Sequence, residues 1–300
     1  TFHKNVSSYV GSALYNLNGT WYSFGTFNGK DIQGARSSSL EGNWTKFGRP
    51  ILAINETTWA GTRNGSYGTW APDVFQRCSD NKFVMLVPTT LPKKGHHCIG
   101  AAIADTITGV YHPVNDFVQC NRTSSGVIDP AWFKDDDKRQ YVVYKTDRPE
   151  VYLEIREVAN SGPKEGVEWV GNAQKLLKKD AQGFKDGFNL EAPYIFKRGG
   201  VYFLAYSTHY YGDGSYDVQY ATSKHVKGPY TRAKEPLLKT TDKFGCNITG
   251  PGSASFQRDS KGNEKVVNMI FHGLKLPLRP MRRELYTATV HVNGTKLYIK

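Results

Sequence analysis

Two carboxylates occur in similar apolar surroundings, Asp129 within GVIDPAWF and Glu191 within NLEAPYIF. A carboxylate at the start of a buried strand has lost much of its water, and its pKa rises unless a partner neutralises it. A carboxylic acid that stays neutral at neutral pH can protonate the leaving oxygen of a glycosidic bond. The alternative is that both residues are structural and bond to neighbouring backbone. Two carboxylates at matched positions favour the chemical role.

The elements that would position them recur five times, each as a short apolar strand, a polar turn and a strand rich in Tyr, Phe and Val. The strand-ending residues are spaced by 60, 58, 63 and 60 positions: Asn16, Gln76, Lys134, Lys197 and Gln257. About 40 residues with further strand signals follow each hairpin. Four strands per repeat predict an all-β, five-bladed β-propeller that forms one domain over residues 1–300. A β-sandwich or β-helix is the alternative, but a sandwich predicts no 60-residue period.

In such a propeller the first strand of each blade lines the central channel, so the beginnings of these strands converge at one mouth. These positions are Gly11, Trp70-Ala71, Ile128-Asp129, Glu191-Ala192 and 250–252.

The chain resembles glycoside hydrolase family 43, particularly its fungal arabinan-active and arabinofuranosidase-like members. The segments that carry the resemblance are TWAPDVFQ, GVIDPAWF, NLEAPYIFKRGGVYFLAYS, GPGSASF and IFHG. The resemblance implies inverting hydrolysis with Glu191 as general acid and Asp129 as the residue that orients this acid and tunes its pKa. It implies that Trp70, Asp73 and Arg283 shape the sugar pocket. No cofactor is expected to be required, but His272 matches a histidine that helps hold an ion such as calcium, or a water, at the channel centre. Without the resemblance, His272 would be interpreted as a core histidine.

One position departs from this family. Where the first blade of its members begins with Asp-Pro-Ser, and the Asp is the general base, this chain has Gly11 followed by Ser12 and Ala13. Residues 1–30 contain no Asp or Glu. Three interpretations follow: another residue such as Asp73 positions the water, the protein binds glycans with little turnover, or the base was removed deliberately.

We therefore expect a hydrolase that acts on arabinose- or xylose-containing plant cell-wall polysaccharide. A non-catalytic carbohydrate-binding propeller is the alternative, and a protein-interaction propeller without a glycan site is a third class.

Composition limits the partners. The net charge is +12, and the chain has 18 Tyr, 15 Phe and 6 Trp. Aromatic residues favour strands and also stack on sugar rings. The basic residues are spread over loops, which fits simple solubility or an acidic polysaccharide, and no nucleic-acid motif accompanies them. No apolar run is long enough to span a membrane, and we expect a monomer.

Glycosylation sequons predict the compartment. Eight of the 17 Asn stand two residues before Ser or Thr: Asn5, Asn18, Asn43, Asn55, Asn64, Asn121, Asn247 and Asn293. Together with a first residue other than Met, this excess predicts a mature, secreted, extracellular glycoprotein. Cys98 and Cys120 flank two strands around a turn and are expected to pair, whereas Cys78 and Cys246 either pair or stay free.

Overall fold

The protein is described by a computed structural model. It covers residues 2–7, 9–27, 31–57, 62–63, 66–91, 96–120, 125–159, 167–180, 182, 185–241, 247–258, 265–278 and 281–300. Regular structure in these residues is extended, apart from one 3-10 helical turn at Ile54–Glu56. The prediction of an all-β fold is therefore confirmed.

The strands form antiparallel sheet units that follow the chain. A first strand is β1 (Phe2–Ser7). Unit 1 contains β2 (Gly11–Leu17), β3 (Thr20–Gly25), β4 (Gln33–Ser37) and β5 (Thr45–Lys46), and a separate hairpin follows with β6 (Thr62–Arg63) and β7 (Ser66–Tyr67). Unit 2 contains β8 (Asp73–Gln76), β9 (Phe83–Thr90), β10 (His97–Ala104) and β11 (His112–Cys120).

The second half of the chain repeats this arrangement. Unit 3 contains β12 (Gly126–Lys134), β13 (Gln140–Asp147), β14 (Tyr152–Val158) and β15 (Trp169–Lys178). Unit 4 contains β16 (Leu190–Arg198), β17 (Val201–Thr208), β18 (Asp217–Ser223) and β19 (Thr231–Arg232). Unit 5 contains β20 (Thr249–Phe256), β21 (Val266–Lys275), β22 (Arg282–Asn293) and β23 (Lys296–Tyr298).

Each of the five predicted hairpins is formed, as the first two strands of a unit. Units 2 and 3 share one sheet through a single parallel pair, His97 with Gly126. The N-terminal strand β1 pairs with β22, so residues from both ends of the chain build unit 5. The first strands of the units contact one another in turn: β2 with β8, β8 with β12, β12 with β16, β16 with β20, and β20 with β2.

Aromatic side chains pack these first strands together. Phe75 of β8 stacks on Trp132 of β12 with ring centroids 4.9 Å apart, and Phe196 of β16 stacks on Phe256 of β20 at 4.5 Å. All four rings are buried. Much of the aromatic excess noted in the sequence therefore serves the core.

The first strands are interrupted near their beginnings. Pairing slips after Gly11 in β2, Ile128 in β12, Glu191 in β16 and Gly252 in β20. At the slip, Asp129, Ala192 and Ser253 take a left-handed backbone with φ of 56°, 50° and 50°. A non-glycine residue in this region costs about 1–3 kcal/mol and is concentrated at functional sites.

Cys98 and Cys120 form a disulfide that joins β10 to β11, which confirms that predicted pairing. Cys78 is exposed and has a free thiol, and Cys246 lies outside the described residues. Five sequon asparagines are exposed: Asn18, Asn43, Asn55, Asn247 and Asn293. The side chain of Asn5 and the residues Asn64 and Asn121 lie outside the described part. No helix in the described residues is long and apolar enough to cross a membrane.

Candidate active site

Glu191 lies at the beginning of β16, and hydrogen-bond donors meet both of its carboxylate oxygens. The Tyr216 hydroxyl donates to Oε1 at 2.9 Å, and the Lys145 ammonium donates to Oε2 at 3.2 Å. Tyr216 and Lys145 are buried, whereas the Glu191 side chain remains partly exposed. The carboxylate is thus fixed from the protein side and open to solvent on the other.

A second carboxylate shares the same lysine. Asp147, at the end of β13, has Oδ1 3.6 Å from Lys145 Nζ, and its side chain is 20% exposed. Because both oxygens lie near one nitrogen, Oδ1 of Asp147 and Oε2 of Glu191 are within about 7 Å of each other. Burial lowers the pKa of Lys145, but the charges of Glu191, Asp147 and Asp129 outweigh it and raise that pKa, so the lysine stays protonated.

Asp129 completes the group from β12. Its Oδ2 accepts the backbone N–H of Ala192 at 2.9 Å, which places Asp129 against the peptide that follows Glu191. Burial, and then the charge of Glu191, raise the pKa of Asp129 to about 7, against an opposing effect of Lys145. The predicted upward shift for a desolvated carboxylate is therefore found at Asp129.

The repeats set Ile128-Asp129 level with Glu191-Ala192, and the structure has the same one-residue offset between the two carboxylates. Ala192, not Glu191, shares the left-handed backbone of Asp129. The prolines explain the offset, because Pro130 directly follows Asp129, whereas Ala192 stands between Glu191 and Pro193. The offset allows Glu191 to turn toward Lys145 while Asp129 binds the neighbouring strand.

A small cavity lies beside Asp129. Its volume is about 20 Å³, and residues from four units line it, among them Ala71, Asp129, Ala192 and Ser253. A cavity of this size can hold about one water molecule. A larger cleft of about 630 Å³ lies on unit 2 beside Asp105 and is lined by none of the three carboxylates.

His272 lies at the core of unit 5, where its ring stacks on Tyr216 with centroids 6.0 Å apart. Neither ring nitrogen has a hydrogen-bond partner among the described residues. Burial, and then the charge of Arg283, hold the pKa of His272 well below its usual range. A neutral imidazole of this kind fits a bound water. Within the described chain no three His, Cys, Asp or Glu residues gather as a metal-binding group.

Two of the predicted pocket residues, Arg283 and Trp70, each contact an aromatic ring. The guanidinium of Arg283 lies 5.4 Å from the ring centroid of Tyr211. Burial lowers the pKa of Arg283, and the charge of Glu191 is one of the effects that oppose this lowering. The ring of Trp70 lies 4.6 Å from that of His97. Burial lowers the pKa of His97, and the charge of Asp147 opposes this lowering.

Asp73 differs from the expectation that it shapes the pocket or positions a water. Its carboxylate is buried, accepts the N–H of Trp132 at 2.6 Å and forms an ion pair with Arg258. Burial raises the pKa of Asp73, and Arg258 lowers it. Because its oxygens are bound inside the protein, Asp73 is not placed to meet a substrate.

Gly11 begins β2 and pairs with Gly25. The strand contacts β20 and β8, the first strands of units 5 and 2. Nothing in the structure assigns a chemical role to this position.

Lys145, Asp147 and Tyr216 were not predicted from the sequence. The available signal was a lysine within the apolar strand YVVYKTD, because a buried lysine needs an anionic partner. Tyr216 ends the loop between β17 and β18.

The sequence profile of glycosyl hydrolases family 43 matches residues 8–295. The chain therefore belongs to this family of glycosidases. It is similar to a β-D-galactofuranosidase, XynD, of Aspergillus niger, with 24% identity over 217 residues, 70% of this chain and 58% of that protein. The chain thus matches less than two thirds of that relative's length.

Solved structures show the same fold. A thermostable family-43 glycoside hydrolase superposes with a TM-score of 0.82 at 20% identity, over 99% of this chain and 94% of the other. An endo-1,4-β-xylanase of Bacteroides thetaiotaomicron superposes with a TM-score of 0.76 at 22% identity, over 98% and 96%.

Proposed function

We propose that this protein hydrolyses O-glycosidic bonds by an inverting mechanism, with Glu191 as the general acid and Asp129 as the residue that tunes it. The observation that carries the proposal is the arrangement of Glu191, Asp129 and Asp147 around the single buried ammonium of Lys145. Three carboxylates gathered near one buried lysine form a costly arrangement for a purely structural role.

The architecture we propose is a five-bladed propeller, in which each sheet unit is a blade. The support is the cycle of contacts among the first strands β2, β8, β12, β16 and β20. The pairing of β1 with β22 would join the ends of the chain within the last blade.

For the missing base we propose Asp147. It is partly exposed, and its Oδ1 lies no more than about 7 Å from Oε2 of Glu191, so both carboxylates can reach the same sugar ring. In the reaction, Glu191 gives its proton to the leaving oxygen as that bond breaks. Asp147 takes a proton from the water whose oxygen attacks the anomeric carbon.

As substrate we propose arabinose- or xylose-containing plant cell-wall polysaccharide, cleaved outside the cell. Five exposed sequon asparagines support a secreted glycoprotein. The Aspergillus niger relative is a galactofuranosidase, which adds galactofuranosides to the linkages to be tested.

The second candidate is a carbohydrate-binding protein without turnover. Gly11 supports it, because no carboxylate stands where family members are expected to carry the base. Chromogenic α-L-arabinofuranoside, β-D-xyloside and β-D-galactofuranoside separate the candidates. We expect release of the chromophore from at least one of them and its loss in Glu191→Gln. Binding of oligosaccharide without any release would favour the second candidate.

A further inference from the structure

Four exposed apolar side chains lie in a continuous strip beside the carboxylates. Phe188 and Tyr210, 56% and 40% exposed, have ring centroids 5.6 Å apart, and Tyr211, 37% exposed, lies 4.8 Å from Tyr210. Met281 continues the strip, because its sulfur lies 3.8 Å from the Arg283 guanidinium that covers Tyr211. Exposed apolar surface gathered in one place indicates a binding site.

The strip begins at the candidate active site. Phe188 precedes Glu191 by three residues, and Tyr210 and Tyr211 lie in the loop that ends at Tyr216, whose hydroxyl binds Glu191. The charge of Glu191 also contributes to the raised pKa of Tyr211, although burial is the main cause. A chain bound at Glu191 can therefore continue over these rings.

Arginines stand at both ends of the strip. The guanidinium of Arg148 lies 5.7 Å from the centroid of Phe188, and that of Arg283 lies 5.4 Å from the centroid of Tyr211. Neither arginine forms an ion pair with a carboxylate of the described residues, and Nε of Arg283 is buried without a hydrogen-bond partner there. Arginine forks bind carboxylates through two parallel hydrogen bonds.

We propose that Arg148, Phe188, Tyr210 and Tyr211 form a binding site for a uronic-acid-bearing stretch of polysaccharide next to the bond that is cleaved. The inference rests on the proposed function for its position along the substrate. Flat rings in a row stack on the C–H faces of successive sugars, and the arginines bind carboxylates of that chain. The net charge of +12 favours the approach of an anionic polymer.

The test measures binding without turnover. In the Glu191→Gln protein, calorimetric titration compares tetragalacturonate with its fully methyl-esterified form, which has the same rings without the charges. We expect the charged form to bind at least tenfold more tightly at low salt, and Arg148→Gln to remove most of that preference. Tyr210→Ala and Phe188→Ala should each weaken the binding of both oligosaccharides about tenfold. Tyr298→Ala, an exposed tyrosine of β23, is the matched control and should change neither.

Equal binding of the two forms, or binding unaffected by both Tyr210→Ala and Phe188→Ala, would overturn the proposal. Absence of binding of either form would overturn it as well. Failure of the proposed hydrolysis is seen separately, as the absence of chromophore release by the protein with Glu191 intact.

Discussion

The ammonium of Lys145 lies inside the protein, 3.2 Å from Oε2 of Glu191 at the beginning of β16. The same ammonium is 3.6 Å from Asp147, and its charge partly offsets the rise in the pKa of Asp129. One cation therefore forms ion pairs with two carboxylates and opposes the rise in the pKa of a third. The pKa of Asp129 depends on the charges of Glu191 and Lys145, so a change at either residue alters the proton affinity of Asp129.

Asp147→Asn should lower kcat about 10²–10⁴-fold with a smaller change in KM, because a base acts in the transition state more than in substrate binding. Asp137→Asn, in the turn between β12 and β13, is the control and should retain the rate. Added azide should restore part of the rate of Asp147→Asn, since a small anion can enter on the side of the water. Normal turnover by Asp147→Asn would remove it as the base.

In the Asp147→Asn protein, the added substitution Gly11→Asp should restore activity if the beginning of β2 faces the same water. The expected gain is about tenfold or more in kcat over Asp147→Asn alone, measured on the best chromogenic substrate. Gly11→Asn, which has nearly the same shape and no charge, is the control. A gain from Asn equal to that from Asp would show that the effect is not that of a base.

The free energy of unfolding should fall less steeply between about pH 4 and pH 7 in Asp129→Asn than in the wild type. The pKa of Asp129 is raised to about 7, so the folded protein holds a proton that the unfolded chain releases near pH 4. The contribution of Asp129 to the free energy of unfolding is therefore complete below pH 4 and is lost as the pH rises to about 7.

Removing this group should make the slope of unfolding free energy against pH less negative by up to about 1.4 kcal/mol per pH unit. Urea unfolding at pH 4.5, 5.5 and 6.5 measures it. Parallel slopes for the wild type and Asp129→Asn would contradict the raised pKa.

The fold was largely predictable, because hairpin turns and strand alternation are local signals. The five repeats, for example, place β2–β3 and β16–β17 correctly. The pairing of β1 with β22 was not predictable, since it joins residues 277 to 286 positions apart along the chain. The partner of Glu191 was not predictable either, because Lys145 lies 46 residues away and shares no local pattern with Glu191.

The resemblance correctly indicated Asp129 and Glu191 as neighbours, but it could not show what Asp73 binds. Arg258, its ion-pair partner, follows it by 185 residues. The one-residue offset of Asp129 and Glu191, by contrast, is visible in the sequence, where Pro130 directly follows Asp129 and Ala192 separates Glu191 from Pro193.

Asp73→Ala should destabilise the protein by about 3–5 kcal/mol, because it leaves the buried Arg258 without its anion. The double variant Asp73→Ala, Arg258→Met should recover much of this loss, since both charges are then absent. Chemical denaturation of the three proteins measures the difference. A double variant as unstable as the sum of the single ones would contradict a charge-pair role for Asp73.

The most direct test of the hydrolase assignment compares leaving groups in the wild type and Glu191→Gln. An acid matters most where the departing oxygen is basic, so Glu191→Gln should lose about 10²–10⁴-fold on unactivated oligosaccharides and far less on dinitrophenyl glycosides. The measurement is kcat/KM for both substrate types, with Tyr298→Ala as the control. Equal losses on the two types would contradict the assignment of Glu191 as the general acid and show that it only binds sugar.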